Sequence, residues 1–183
     1  MPGPHAAALF ALLVAACSAA QDAAAPTNGD STCIPGAPAH LSARLRGAID
    51  ADLDWPDGAL SCEGGPRPDG SGLRLTVAGP LAPGGRTLRF VFGIDTRTPG
   101  ADRDLPTNLT LIVEGAGLLF ATRGADKCTV DRLRQAPTTA DGARRRIEVR
   151  GFCTGPATST DGEARVLVER FDFATTFTTG EPH

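Results

Sequence analysis

The chain has 183 residues, a formal net charge of −3 and 41% hydrophobic residues. A weakly acidic chain exerts no general attraction on nucleic acid, and this length sets one domain with short extensions. Tyrosine is absent and Trp55 is the only tryptophan, which argues against the Tyr- and Trp-rich contact surfaces common in carbohydrate and antibody-type recognition. The positive charge is almost all arginine, with Lys127 the only lysine.

An uncharged apolar run, Ala6 to Ala16, opens the chain and ends in Val14-Ala15-Ala16-Cys17. It is too short for a permanent membrane span, which needs about 20 apolar residues. It has the length of a signal-peptide core followed by small residues at a cleavage point. With a cysteine directly after those small residues, the segment resembles the lipobox of bacterial lipoproteins. The resemblance covers the first 17 residues. It implies that residues 1–16 are a signal peptide, that the Cys17 thiol receives a diacylglycerol, and that the new amine is acylated by a fatty acid such as palmitate. Cys17 then anchors the protein to the membrane of the bacterial cell envelope. By the enteric sorting rule that accompanies this resemblance, Ser18 implies the outer membrane, facing the periplasm.

Residues 18–31 contain no large apolar side chain, so they cannot bury enough surface to offset the entropy of ordering. Residues 17–32 therefore read as the lipidated cysteine and a flexible tether. As a coil, the tether has a mean span of about 20 Å, which holds the following domain near the membrane surface.

From Cys33 onward the hydrophobic pattern has period two, and residues 33–183 read as one domain. Leu41, Ala43, Leu45, Ile49, Leu53 and Trp55 share one parity, which predicts a long half-buried strand bent at Gly47. Trp55-Pro56-Asp57-Gly58 then predicts a turn. Shorter runs follow: Leu73 to Val77, Leu88 to Ile94, Leu109 to Val113, Leu118 to Phe120, a strand from Cys128 through Val130, and Ile147 to Val149. In the last run, Arg165 to Thr179, the parity changes between Val168 and Phe171, which predicts a bulge near Glu169-Arg170. Gly64 to Gly70, Pro83 to Gly85 and Ala136 to Ala143 read as turns and loops. No ten-residue stretch has a helical period. The expectation is an all-β, antiparallel β-sandwich, jelly-roll-like or Ig-like, of about eight to nine strands.

Four cysteines besides Cys17, namely Cys33, Cys62, Cys128 and Cys153, make an even set without a C-x-x-C pair. In an exported chain that set predicts two disulfides. A hairpin of Cys128–Arg134 with Arg145–Cys153 places Cys128 opposite Cys153, within reach of a bridge. This pairing leaves Cys33 with Cys62, although two other connectivities remain open.

Candidate sites are few. Asp50, Asp52 and Asp54 fall on one strand face and are the metal candidates, with calcium as the ion. The i, i+2 spacing of about 6.5–7 Å spreads them too widely for all three to share one ion easily, so no metal and no cofactor is expected. The longest polar insertion, Ile94 to Pro106, carries Asp95, Arg97, Asp102, Arg103 and Asp104 and is the candidate binding loop. Arg144-Arg145-Arg146 offers charge for anionic head groups but reads mainly as solvated or ion-paired. His40 and His183 are the histidines beyond the signal segment, and no G-x-S-x-G, H-E-x-x-H or phosphate-loop motif accompanies them.

These readings point to a membrane-anchored envelope lipoprotein without a catalytic residue set. Its role is binding or structural, its partners being the membrane through Cys17 and an unidentified envelope protein or small ligand, with no nucleic acid. Two alternatives stand beside it. A carrier of a small apolar ligand would have a cavity lined by Phe90, Phe92, Phe171 and Phe173. An envelope hydrolase would gather carboxylates such as Asp95 and Asp104 in a cleft.

Overall fold

The computed structural model describes residues 33, 34 and 37–179. Cys17, the tether and His183 lie outside them. The described residues form an all-β, antiparallel fold of eleven strands without helices: β1 (His40–Gly47), β2 (Ala51–Trp55), β3 (Ser61–Pro66), β4 (Gly72–Pro80), β5 (Thr87–Asp95), β6 (Leu105–Val113), β7 (Leu118–Ala121), β8 (Cys128–Pro137), β9 (Arg144–Cys153), β10 (Ala157–Ser159) and β11 (Arg165–Thr178).

The strands make a β-sandwich joined along one side. One layer runs β3-β4-β5-β6 and the other β2-β1-β11. The free edge of β6 pairs with β8 at Leu105–Thr107 and with β7 at Thr110–Val113. The free edge of β11 pairs with β9 at Phe171–Thr178 and with β10 at Arg165–Val166. Because β8 pairs with β9 and β7 with β10, two ladders carry the hydrogen bonding from one layer to the other. That side has no exposed sheet edge, which removes a site for unwanted strand pairing.

The inward parity of each strand follows its apolar residues. In β5, Leu88, Phe90, Phe92 and Ile94 are all fully buried, and Leu109 and Leu111 of β6 join them. The predicted bulge is present in β11. Arg44 pairs with Arg170 and Leu45 with Val168, so Glu169 has no partner across the ladder. The extra residue shifts the parity, and Val166, Val168, Phe171 and Phe173 all face the core.

The layers meet through aromatic rings. Phe92 lies 4.5 Å from Phe173 and 4.9 Å from Phe171, centroid to centroid. Phe90 stacks on Phe92 at 5.8 Å, and Trp55 meets Phe90 edge-on at 5.8 Å. Trp55 Nε1 donates to the Pro80 carbonyl at 2.9 Å, which satisfies the buried indole. The four phenylalanines thus pack against one another and fill the middle of the sandwich.

Three elements depart from the sequence expectation. The run Leu41 to Trp55 is two strands, because the chain reverses at Gly47 where a bend was expected. Gly47 has φ 111°, and a Cβ there would lie 2.4 Å from the Arg165 carbonyl oxygen. Leu41 then pairs with Trp55, so the shared parity that suggested one strand survives the reversal. Strand β3 falls in a segment without a large apolar residue, read as a turn from Gly64 onward. Gly64 lies against β11, where a Cβ would be 2.8 Å from that of Phe177. Strand β10 has three residues and no hydrophobic run of its own.

Both disulfides are present, Cys33–Cys62 and Cys128–Cys153. Cys128 and Cys153 are direct partners in the β8–β9 ladder, as the hairpin register predicted. Cys33–Cys62 fastens the start of the domain to β3, and the Thr176 hydroxyl of β11 donates to the Cys33 carbonyl.

Two stability predictions follow from this packing. Phe92→Ala removes the ring that both β11 phenylalanines contact, and urea unfolding is expected to show a loss of about 3–5 kcal/mol. Cys128→Ser with Cys153→Ser opens a loop of sequence separation 25, with an expected loss of about 2–4 kcal/mol in the same assay.

Candidate functional site

The three aspartates of the metal candidate are divided by the β1–β2 hairpin. Asp50 sits in the turn, while Asp52 and Asp54 lie on the exposed face of β2. Arginines of β1 engage two of them. Asp52 Oδ1 accepts from Arg44 Nε and from Arg46 Nη2, each at 3.0 Å, and Asp50 accepts from Arg46 Nη1 at 3.3 Å. Partial desolvation pushes the Asp52 pKa up, but the Arg44 and Arg46 hydrogen bonds outweigh it and hold the carboxyl below its ordinary value. Among the described residues, no group of three or more His, Cys, Asp or Glu is placed to hold a metal ion.

The candidate loop, 96–104, connects β5 to β6 and is held by its own turns. The Asp95 carboxylate accepts from the Arg97 backbone N–H at 3.0 Å and from Arg97 Nε at 2.9 Å. The Arg97 side chain, then its backbone N–H, keep the Asp95 pKa low. Ala101 N–H donates to the Thr98 carbonyl at 3.2 Å, and Asp102 Oδ1 accepts from Arg103 at 3.4 Å. Leu133 N–H donates to the Asp102 carbonyl at 2.7 Å and ties the loop to β8. Asp104 is exposed at φ 54°, the one non-glycine residue with positive φ among those described. The loop is thus tied to β8 through Leu133 and to itself through its turns, with Asp95 engaged by Arg97.

A second concave surface lies on the outer face of β1, β11, β9 and β8 and was not legible in the sequence. Its centre is Asp172 of β11, flanked by Ser42 of β1 and Arg150 of β9. Asp172 Oδ2 accepts from Arg150 Nε at 2.9 Å and lies 2.7 Å from Nη2. Its Oδ1 lies 3.2 Å from His40 Nε2. Burial would raise the Asp172 pKa, and the hydrogen bonds from Arg150 and then His40 overcome it and lower the value. His40 carries no catalytic motif in the sequence, and the structure sets it beside this carboxylate.

The depression beside Asp172 has a volume of about 500 Å³. Its floor is Gly151 above the buried Phe171 ring; a Cβ on Gly151 would lie 2.3 Å from the Thr129 carbonyl oxygen and 2.6 Å from Phe171 Cζ. Bulges flank it on both sides, at Glu169 in β11 and at Asp131 in β8. Its rim carries Phe152, 39% exposed, and Arg170. Like charges lie directly opposite at Arg44–Arg170 and at Arg132–Arg150, a cross-strand arrangement that costs stability. Asp52 and Asp172 neutralise Arg44 and Arg150, while Arg170 and Arg132 have no ion-pair partner among the described residues. A glycine inside the alternating β9 run is the one sequence signal for this groove.

Arg144, Arg145 and Arg146 separate as adjacent strand residues must. Arg146 points outward, bonding Glu148 at 3.0 Å and the Pro38 carbonyl at 2.9 Å. Arg145 stands on the core-facing side, level with Phe177 of β11 and Pro137 of β8.

No protein family, curated protein or solved structure matches this chain.

The lowered Asp172 pKa sets an acid-side prediction. A carboxylate with a lower pKa folded than unfolded contributes stability above the unfolded value, about 4, and loses it as pH falls through the folded value. Urea midpoints of the wild type are therefore expected to fall more steeply below about pH 4 than those of Asp172→Asn. Parallel curves would contradict the pairing.

Proposed function

We propose that the protein is a lipid-anchored lipoprotein of the bacterial cell envelope, with a non-catalytic binding or structural role at the membrane surface. The observation that carries this reading is the cysteine set. Of five cysteines, four form the two disulfides of the domain. Cys17 remains, placed directly after an apolar run of signal-peptide character and Val14-Ala15-Ala16. Two disulfides suit an oxidising compartment, which the periplasm is. The segment 17–32 then leads from lipid to domain, and the Cys33–Cys62 bridge secures the first residue of that domain against any pull on the tether.

The chemistry of the domain supports binding over catalysis. Asp52, Asp95 and Asp172 are each hydrogen-bonded to arginine with lowered pKa, the opposite of a carboxyl tuned to act as an acid near neutral pH. Phe90, Phe92, Phe171 and Phe173 stack on one another, which favours a filled core over a ligand cavity at that place.

The test is fractionation of cells expressing wild type and Cys17→Ser, with fatty-acid labelling and cross-linking. The wild type is expected in the membrane fraction with label, and the variant outside it without label. A cross-linked envelope protein lost in the variant would identify the partner. Retention of label and membrane location by Cys17→Ser would refute the proposal.

A further inference from the structure

Arg145 occupies a register position meant for an apolar residue. In the β9–β11 ladder it pairs with Phe177, and the next residues on the same face are Ile147 and Val149, fully or almost fully buried. In the β9–β8 ladder, that face continues through Gln135 and Leu133. The Arg145 side chain thus enters the open end of the sandwich from inside. No carboxylate lies within ion-pair distance of it among the described residues, and its Nε is sealed from solvent without a hydrogen-bond partner. A buried, unsatisfied donor on a charged group is costly, and such a group calls for a specific explanation.

The same residue also lines a depression that is open to solvent, where the rest of its guanidinium can meet a ligand. Loop 96–104 lies beside this end and, with Arg145, Gln135 and Leu133, borders this open depression of about 430 Å³. This volume is within the range of small-molecule sites, and the mouth of a closed or half-closed β-fold is a common place for them. Thr96 and Thr98 from the loop, and Gln135 and Leu133 from β8, share this lining with Arg145. The acid in the lining, Asp102, has its carboxylate hydrogen-bonded to Arg103. The loop does not need to be ordered by a ligand, because Leu133 N–H holds the Asp102 carbonyl and Thr96 N–H holds the Ser71 carbonyl.

We propose that this pocket is a binding site for a small ligand carrying an oxyanion, a carboxylate or a phosphate, with the Arg145 guanidinium as its counter-ion and Thr96, Thr98 and Gln135 as neutral hydrogen-bonding partners. A planar guanidinium presents paired donors matched to two oxygens of such a group. The neutral remainder of the ligand would lie along Leu133 and Ala101. The inference rests on the binding role proposed above but not on the lipid. Loss of lipid at Cys17 would leave the following titration unchanged, and a negative titration would leave the membrane fractionation unchanged.

The test is a ¹H–¹⁵N titration of the full-length chain, disulfides intact, with propionate and separately with inorganic phosphate, following the arginine Nε–H signals. The Arg145 Nε–H signal and the Thr96 and Thr98 amides are expected to shift saturably, with half-saturation on the order of 1–10 mM for so small a probe. The exposed Arg144 should not follow. The tighter probe identifies the head group as carboxylate or phosphate. Arg145→Gln should weaken the response of both threonine amides by roughly 10-fold or more; the wild-type titration alone decides the matter if that variant does not fold. A shift that does not saturate with either probe, or an equal shift at Arg144, would overturn the proposal.

Discussion

The fold depends on the contact between Phe92 of β5 and the pair Phe171 and Phe173 of β11. These strands belong to opposite layers, and their rings are the point at which the layers meet. Burial of apolar surface is the main favourable term in folding, and these rings are among the largest side chains that are fully buried. It also dictates the irregularities around it. Glu169 bulges out of register so that the valines and the phenylalanines of β11 can face the same core. Gly151 lacks a side chain because the Phe171 ring and the Thr129 carbonyl occupy the space a Cβ would need. The groove on the outer face follows from the same two features.

Much of this was legible in the sequence because its signals are local. Period-two alternation placed β4 to β9 and β11, the parity change in β11 placed its bulge, and the spacing of cysteines in one hairpin gave the Cys128–Cys153 pair. What escaped depends on contacts between distant segments. Gly47 reads as a bend within one strand, and the reversal shows only once the Arg165 carbonyl is known to lie beside it. β3 is a strand because Ser61–Pro66 pairs with β4 along its length while Gly64 lets it pack close to β11, not because the segment has any β-forming pattern. The candidate sites divide along the same line. Asp50, Asp52 and Asp54 are visible as a row of carboxylates, but the arginines that engage Asp50 and Asp52 come from the other arm of a hairpin. Arg145 is hidden among three arginines until the ladder assigns it, alone of the three, to the core side.

Charge placement then separates the two faces of the molecule. On the outer face, Asp52 lies between Arg44 and Arg46, and Asp172 is held by Arg150, so part of the arginine charge is neutralised locally. At the open end, a single inward-facing cation lacks a counter-ion. That asymmetry is what the proposed oxyanion site rests on.

The most direct test of the account is the intact mass of the protein isolated from the cell envelope, with digestion under non-reducing conditions. The account predicts a chain that begins at Cys17, carries the mass of its acyl groups, and contains Cys33–Cys62 and Cys128–Cys153 with no free thiol. A chain beginning elsewhere, or retaining Cys17 as a free thiol or a disulfide partner, would contradict it.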